Sequence, residues 1–220
     1  ASSYLLQGLN VLYITLEMAE ERIAERIDAN LLDVTMEDLH DMPQQLYEGK
    51  ISKLREKTQG QLVIKEYPTA SAHSGHFKSL MNELALKKSF RPDVIFIDYL
   101  NICASSRFKG GNISSYFYVK AIAEELRGLA VEFNVPIFSA TQTTRTGFVS
   151  TDIGLEDTSE SFGLPATADF MFALISNEEL EALGQMKVKQ LKNRYNDPSV
   201  NRAFIIGVDR SKMRLYDVQQ

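Results

Sequence analysis

Three residues able to do phosphate chemistry follow short apolar runs. Val94 to Ile97 is opened by Pro92 and closed by Asp98. Val11 to Leu16 is closed by Glu17, and Val135 to Ala140 leads into Thr141 and Gln142. Uninterrupted β-rich runs of this length read as strands buried on both faces. In an open parallel sheet the carboxyl ends of such strands converge on one crevice, so groups distant in sequence can meet in space. An acid for a metal, a second acid to activate water and an amide to sense a terminal phosphate are what nucleoside triphosphate hydrolysis needs. Asp98 could hold magnesium through water beside a nucleotide's phosphates. Each acid also has a simpler reading: Asp98 can cap a turn, and Glu17 can favour the positive end of the helix beyond it.

The elements that must position these groups are legible in order. After Glu17, Ile23, Ile27 and Leu31 fall on one face of an amphipathic helix. Residues 33 to 60 are polar and helical, anchored by Leu39, Leu46, Ile51 and Leu54, with breaks at Pro43 and Gly49. Leu62 to Glu66 is a strand; Phe77, Leu80, Met81 and Leu84 mark the helix before the Asp98 strand. Ala104 to Ser115 is a polar loop carrying Arg107, Lys109, Gly110 and Gly111; a strongly periodic helix from Val119 to Phe133 follows. A second long polar loop, Thr143 to Leu164, contains Arg145. Long loops without structure of their own are often binding loops. Ala168 to Ile175 reads as the next buried strand, and Met186 to Lys192, Arg202 to Val208 and Met213 to Val218 as consecutive antiparallel strands. The expected fold class is therefore α/β: a mostly parallel sheet flanked by helices, with antiparallel C-terminal strands on one edge.

The 220 residues carry a net charge of −5, are 24% charged and 44% hydrophobic, and read as a single domain spanning 1–220. An acidic total means that any nucleic-acid contact must be local. Cys103 is the only cysteine, which excludes an internal disulfide and makes a reducing, cytoplasmic setting the default. No apolar run approaches membrane-spanning length. His73 and His76 lie three apart, but no nearby residue completes a metal-ligand set, so they read as loop histidines. Tyr4, Leu5, Leu6 and Gly8 look like the end of a helix without a visible start, so the sequence is expected to be a fragment.

Five segments then carry a resemblance: YITLEMAEERIAERIDANLLDV (13 to 34), VIFIDYLNIC (94 to 103), VKAIAEELRGLAVEF (119 to 133), SESFGLPATADF (159 to 170) and QLKNRY (190 to 195). Together and in this order they resemble the RecA-like motor domain of DnaB-type hexameric replicative helicases, most closely those of the T-even bacteriophages. The resemblance implies ATP (or another NTP) and Mg2+ as cofactors. Glu17 would be the catalytic carboxylate, Asp98 the Walker B acid coordinating magnesium, and Gln142 the phosphate sensor. Lys192 and Arg194 match paired basic residues that act across a subunit interface; by themselves they read as a solvated edge. Arg107, Lys109 and Arg145 would contact single-stranded DNA in the central channel of a hexameric ring. A primase, a helicase loader and the cytoplasm of an infected bacterial host are implied as well.

One element of the pattern is missing. No G-x-x-x-x-G-K-[ST] occurs; Gly49-Lys50-Ile51-Ser52 lacks the upstream glycine and strand. The expectation is a chain that begins within the helix after the phosphate-binding loop. Such a chain would lack the first strand and that loop, be a poor or inactive ATPase alone and not form the ring readily. A RecA-type recombinase and a catalytically silent RecA-like binding or assembly module are the other readings; the Lys-Asn-Arg and Asp-Tyr-Leu matches speak against the recombinase.

Overall fold

Four apolar runs become parallel strands: β1 (Val11–Thr15), β2 (Leu62–Glu66), β3 (Val94–Asp98) and β4 (Ile137–Ser139), in the order β2-β1-β3-β4. The structure, a computed structural model, describes residues 1–108, 113–143, 153–155, 163–197 and 199–218. Val11 is in register with both Leu62 and Val94, and Ile95 with Ile137. Because side chains alternate along a strand, each run feeds two layers.

Leu12, Ile14, Ile95 and Ile97 face a core closed by Phe77, Met81 and Leu84 of one helix, Ser74–Lys88, and by Val119, Ile122, Leu126 and Leu129 of another, Ser115–Phe133. On the opposite face Val11 and Val94 meet Leu5 of α1 (Ser2–Leu6) and Ile23 and Ile27 of α2 (Glu20–Leu32). Full burial of one such aliphatic side chain contributes about 1.5–3 kcal/mol, so the two layers fix the strand ends firmly. Glu20 and Glu21 sit in the first turn of α2, where the helix dipole favours acids, and Asp33 ends it in the left-handed conformation.

The connections decide where a ligand can sit. From β1 the chain leaves over one face through α2, α3 (Met36–His40) and α4 (Gln44–Lys57) to reach β2. From β2 onward it uses the other face, through α5 (Ser74–Lys88) to β3 and α6 (Ser115–Phe133) to β4. The segments after β1 and β3 thus depart on opposite faces, which makes their adjacent carboxyl ends a topological switch point. The polar stretch of residues 33 to 60 is helical as read, but α4 buries no residue fully and Leu46 is 52% exposed, so it does not anchor that segment.

The remaining strands, β5 (Phe170–Ile175), β6 (Gln185–Asn193), β7 (Ala203–Asp209) and β8 (Arg214–Asp217), form an antiparallel sheet in sequence order. One expectation is corrected here. The run of β5 belongs to this sheet, pairing antiparallel with β6, and only one of its faces is covered. Ala173 and Ile175 are buried, whereas Phe170, Phe172 and Leu174 are 46%, 52% and 60% exposed. A uniformly apolar run hides the period-2 pattern that would have distinguished the faces. Helix α6 joins the two sheets: Leu164 of α7 (Gly163–Thr167) and Met171 of β5 enter its core. Arg127 on α6 also donates to Thr167 O and Asp169 Oδ1, each at 2.9 Å. At the far side Asp33, beyond α2, pairs with Lys212 and Arg214 at 3.2 and 3.0 Å.

Candidate active site

Glu17, Asp98 and Gln142 lie at the carboxyl ends of three adjacent strands. Thr15 and Asp98 are in register, and Leu16 N–H donates to Asp98 O at 2.9 Å, so Glu17 follows immediately beside Asp98. On the other side Ile97 pairs with Ser139, whose hydroxyl donates to Ile97 O at 2.8 Å. Leu100 N–H donates to Ala140 O at 3.3 Å, and Gln142 Nε2 donates to Tyr99 OH at 3.2 Å. With strands spaced about 4.8 Å apart, the three ends span roughly 10 Å, the scale of a triphosphate group.

Local bonds fix the turn that carries Glu17 and one oxygen of Asp98. Buried Thr15 Oγ1 donates to Met18 O at 2.8 Å and accepts from Met18 N at 3.1 Å, closing a tight turn with exposed Glu17 at its tip. Leu16 O accepts from Thr69 Oγ1 at 2.6 Å, which pins the same turn from the β2 side. Half-buried Asp98 accepts at Oδ2 from the Tyr13 hydroxyl at 2.8 Å. Burial, then the bond to Asp98 and its charge, push the Tyr13 phenol well above its ordinary value of 10.0, so it stays a donor at any working pH. Tyr13 was not among the residues expected at the site. The available signal was a tyrosine in an otherwise apolar strand, because a covered phenol hydroxyl needs a partner.

A magnesium ion fits this donor set. It uses one or two carboxylates and completes its octahedron with water and phosphate oxygens, and Asp98 offers one oxygen with no bond among the described residues. Thr141 Oγ1, next to Gln142, is buried without a hydrogen-bond partner among the described residues. No group of three or more His, Cys, Asp or Glu side chains able to hold a metal exists among the described residues, so a site made wholly of protein ligands is not formed there. His73 and His76 instead cap the start of α5 with reciprocal bonds.

The basic candidates sit elsewhere. Lys192 and Arg194, at the end of β6, both reach Ala166 O, at 3.4 and 3.2 Å, and so share one side of the strand. Arg194 also pairs with Asp169 at 2.9 Å, which Arg127 shares. Burial first, then the charge of Arg194, lowers the Lys192 ammonium below its ordinary value. These two residues belong to the antiparallel sheet and are not brought to the three strand ends within this chain. Arg107 is exposed and paired with Glu124, while Lys109 and Arg145 lie outside the described residues.

The model of the DnaB-like helicase C terminal domain family matches residues 1–207. The DnaB-like replicative helicase of Enterobacteria phage T4 is 48% identical over 223 aligned residues, covering 100% of this chain and 47% of that protein. A probable plasmid replicative DNA helicase of Chlamydia trachomatis is 35% identical over 144 residues, covering 63% of this chain and 30% of its own length. The chain thus spans about half the length of the phage relative. Among solved structures, a DnaB-like replicative helicase described with its primase interactions superposes with a TM-score of 0.79 at 16% identity, over 100% of this chain and 53% of the other. A second solved structure, of an ATPase domain, gives the same TM-score of 0.79 and identity of 16%, over 100% of this chain and 78% of the other. At that identity these superpositions establish the fold, a RecA-like one. Taken with the family match along nearly the whole sequence, they show that the chain belongs to the DnaB-like helicase C-terminal domain family.

Proposed function

We propose that the chain is the nucleotide-hydrolysing motor of a replicative DNA helicase, which unwinds duplex DNA by moving along one strand as a hexameric ring. The observation that supports this most is the meeting of Glu17, Asp98 and Gln142 on adjacent strand ends at the switch point. Magnesium bound there would neutralise charge developing on the phosphates of ATP or another NTP. Asp98, held in place by Tyr13, would hold that ion through water. Glu17, exposed at its turn, takes the proton of the attacking water. Gln142 binds the terminal phosphate and, through the segment after β4, reports its presence to the second polar loop.

Lys192 and Arg194 act on a neighbour's nucleotide in this reading, exchanging their carbonyl and Asp169 partners for phosphate oxygens. Fingers of this kind are worth about 10³–10⁵ in rate. Arg107, Lys109 and Arg145 contact the phosphates of single-stranded DNA. Six copies multiply these few charges, which reconciles them with the net charge of −5. Further partners are a primase, a helicase loader and other copies of the chain, in the cytoplasm of an infected bacterial host. No described helix is long and apolar enough to cross a membrane.

No phosphate-binding loop of the pattern G-x-x-x-x-G-K-[ST] is present in the 220 residues, so they are expected to hydrolyse ATP poorly by themselves. A second reading is a binding or assembly module without catalysis. ATP hydrolysis stimulated by single-stranded DNA separates the two. It is measured for the chain alone and with a strand and such a loop fused ahead of Ala1. Turnover in the fused chain supports the motor; an inert fused chain that still binds ATP supports the module.

A further inference from the structure

Glu125, on α6, has no part in the chemistry above, yet its carboxylate gathers donors from four residues. It accepts from Ser74 Oγ at 2.9 Å, Ser105 Oγ at 2.6 Å, Ser106 Oγ at 2.8 Å, Ser106 N at 2.9 Å and Arg107 N at 3.4 Å. Around it Ser105 N–H donates to Tyr118 OH at 3.1 Å, and Ala104 N–H to Ala72 O at 2.8 Å. Residues 104 to 107 have no regular structure of their own, so these bonds are what holds them. The Arg107 guanidinium at the end of this segment pairs with neighbouring Glu124, and its side chain remains 51% exposed.

The chemistry of the clamp requires a carboxylate. All five donors are hydroxyl or backbone N–H groups, and an ionised carboxylate offers about four acceptor positions. A glutamine offers one oxygen and turns an amide N–H2 toward the remaining donors. Bonds to an ionised acceptor are roughly twice as strong as neutral ones. The same segment runs back through the turn at Leu100–Ile102 to Asp98, so Glu125 fixes the far end of a path that starts at the candidate metal ligand. An exposed pair such as Arg107–Glu124 is weak enough for a phosphate to take the guanidinium.

We propose that Glu125 is a positioning residue that locks Ser105–Arg107 against α6, so that the Arg107 guanidinium is presented to a phosphate of single-stranded DNA. This rests on the reading of Arg107 as a nucleic-acid contact. The test is the affinity of the chain for fluorescently labelled oligo(dT) at fixed salt, by anisotropy, with amide exchange of Ser106 read in parallel. Glu125→Gln is expected to weaken binding about fivefold to tenfold and to speed Ser106 exchange by about tenfold. Ser74→Ala, which cuts only the link to α5, leaves affinity within about twofold. Because Glu125 acts through Arg107, the double variant R107A/E125Q binds no worse than R107A.

Unchanged affinity in E125Q overturns the proposal. So does an additive double variant, or S74A falling as far as E125Q, which would signal general loosening. A wild-type chain without affinity for oligo(dT) overturns the presentation of Arg107 to DNA by a single copy, and Ser106 exchange then tests the clamp alone.

Discussion

Removing one hydroxyl tests whether Asp98 is held or merely present. Tyr13→Phe keeps the ring, which stacks on Phe96 at 6.0 Å and 16°, and deletes only the donor to Asp98 Oδ2. A hydrogen bond to a charged group contributes about 1.5–3 kcal/mol when buried. Asp98 is only half-buried and stands at a sheet edge, where water can replace the phenol, so about 1 kcal/mol is the expected loss. For a chain of this length that lowers the unfolding midpoint by roughly 2–4 °C. If the bond also steadies Asp98 in the transition state, turnover of the loop-fused chain falls about fivefold. Thermal unfolding by circular dichroism and a double-mutant cycle with Asp98→Ala isolate the pair. A coupling of about 1 kcal/mol is expected. A coupling near zero, with an unmoved midpoint in Tyr13→Phe, would refute the claim that the phenol holds the acid.

Other consequences are independent of this bond. A Cβ at Gly60 would lie 2.3 Å from Leu9 O and 3.1 Å from Leu5 O, backbone atoms that cannot swing aside. Gly60→Ala should therefore cost about 2 kcal/mol or more, read by urea unfolding, whereas Gly49→Ala, with open space around it, should not destabilise. The Glu125 carboxyl is pushed up by burial but pulled further down by its bonds to Ser105, Ser106 and Ser74, so its folded value lies below the ordinary 4.5. A depressed folded value means the clamp contributes fully above 4.5 and is lost as pH falls through the lower folded value. Ser106 amide protection should stay constant from neutral pH to about 5 and collapse only in more acid solution, a transition absent in Glu125→Gln.

How far the sequence could be read depended on whether the signal was local. The runs ending at Glu17 and Asp98 are uninterrupted and bounded, so both strand ends and their shared edge could be anticipated. Phe170 to Ile175 is equally apolar but half-exposed, because its Met171, Ala173 and Ile175 face is packed while its Phe170, Phe172 and Leu174 face is not. Leu46 fitted a helical anchor by spacing, yet it is exposed on a helix that buries no residue fully. Tyr13 meets Asp98 across 85 positions, and Glu125 meets Ser74 across 51, so neither bond leaves a pattern that a window along the chain could detect. The Lys192 and Arg194 pair was named from family resemblance alone, while its carbonyl partners Pro165 and Ala166 required the fold.

The most direct test of the nucleotide site is Glu17→Gln in the chain carrying a fused phosphate-binding loop, assayed for both ATP binding and single-stranded-DNA-stimulated hydrolysis. Glu17 at the lip beside Asp98 predicts that hydrolysis drops by at least about a hundredfold while ATP affinity stays within about twofold. Hydrolysis that persists in Glu17→Gln would contradict the assignment of these strand ends as the catalytic centre.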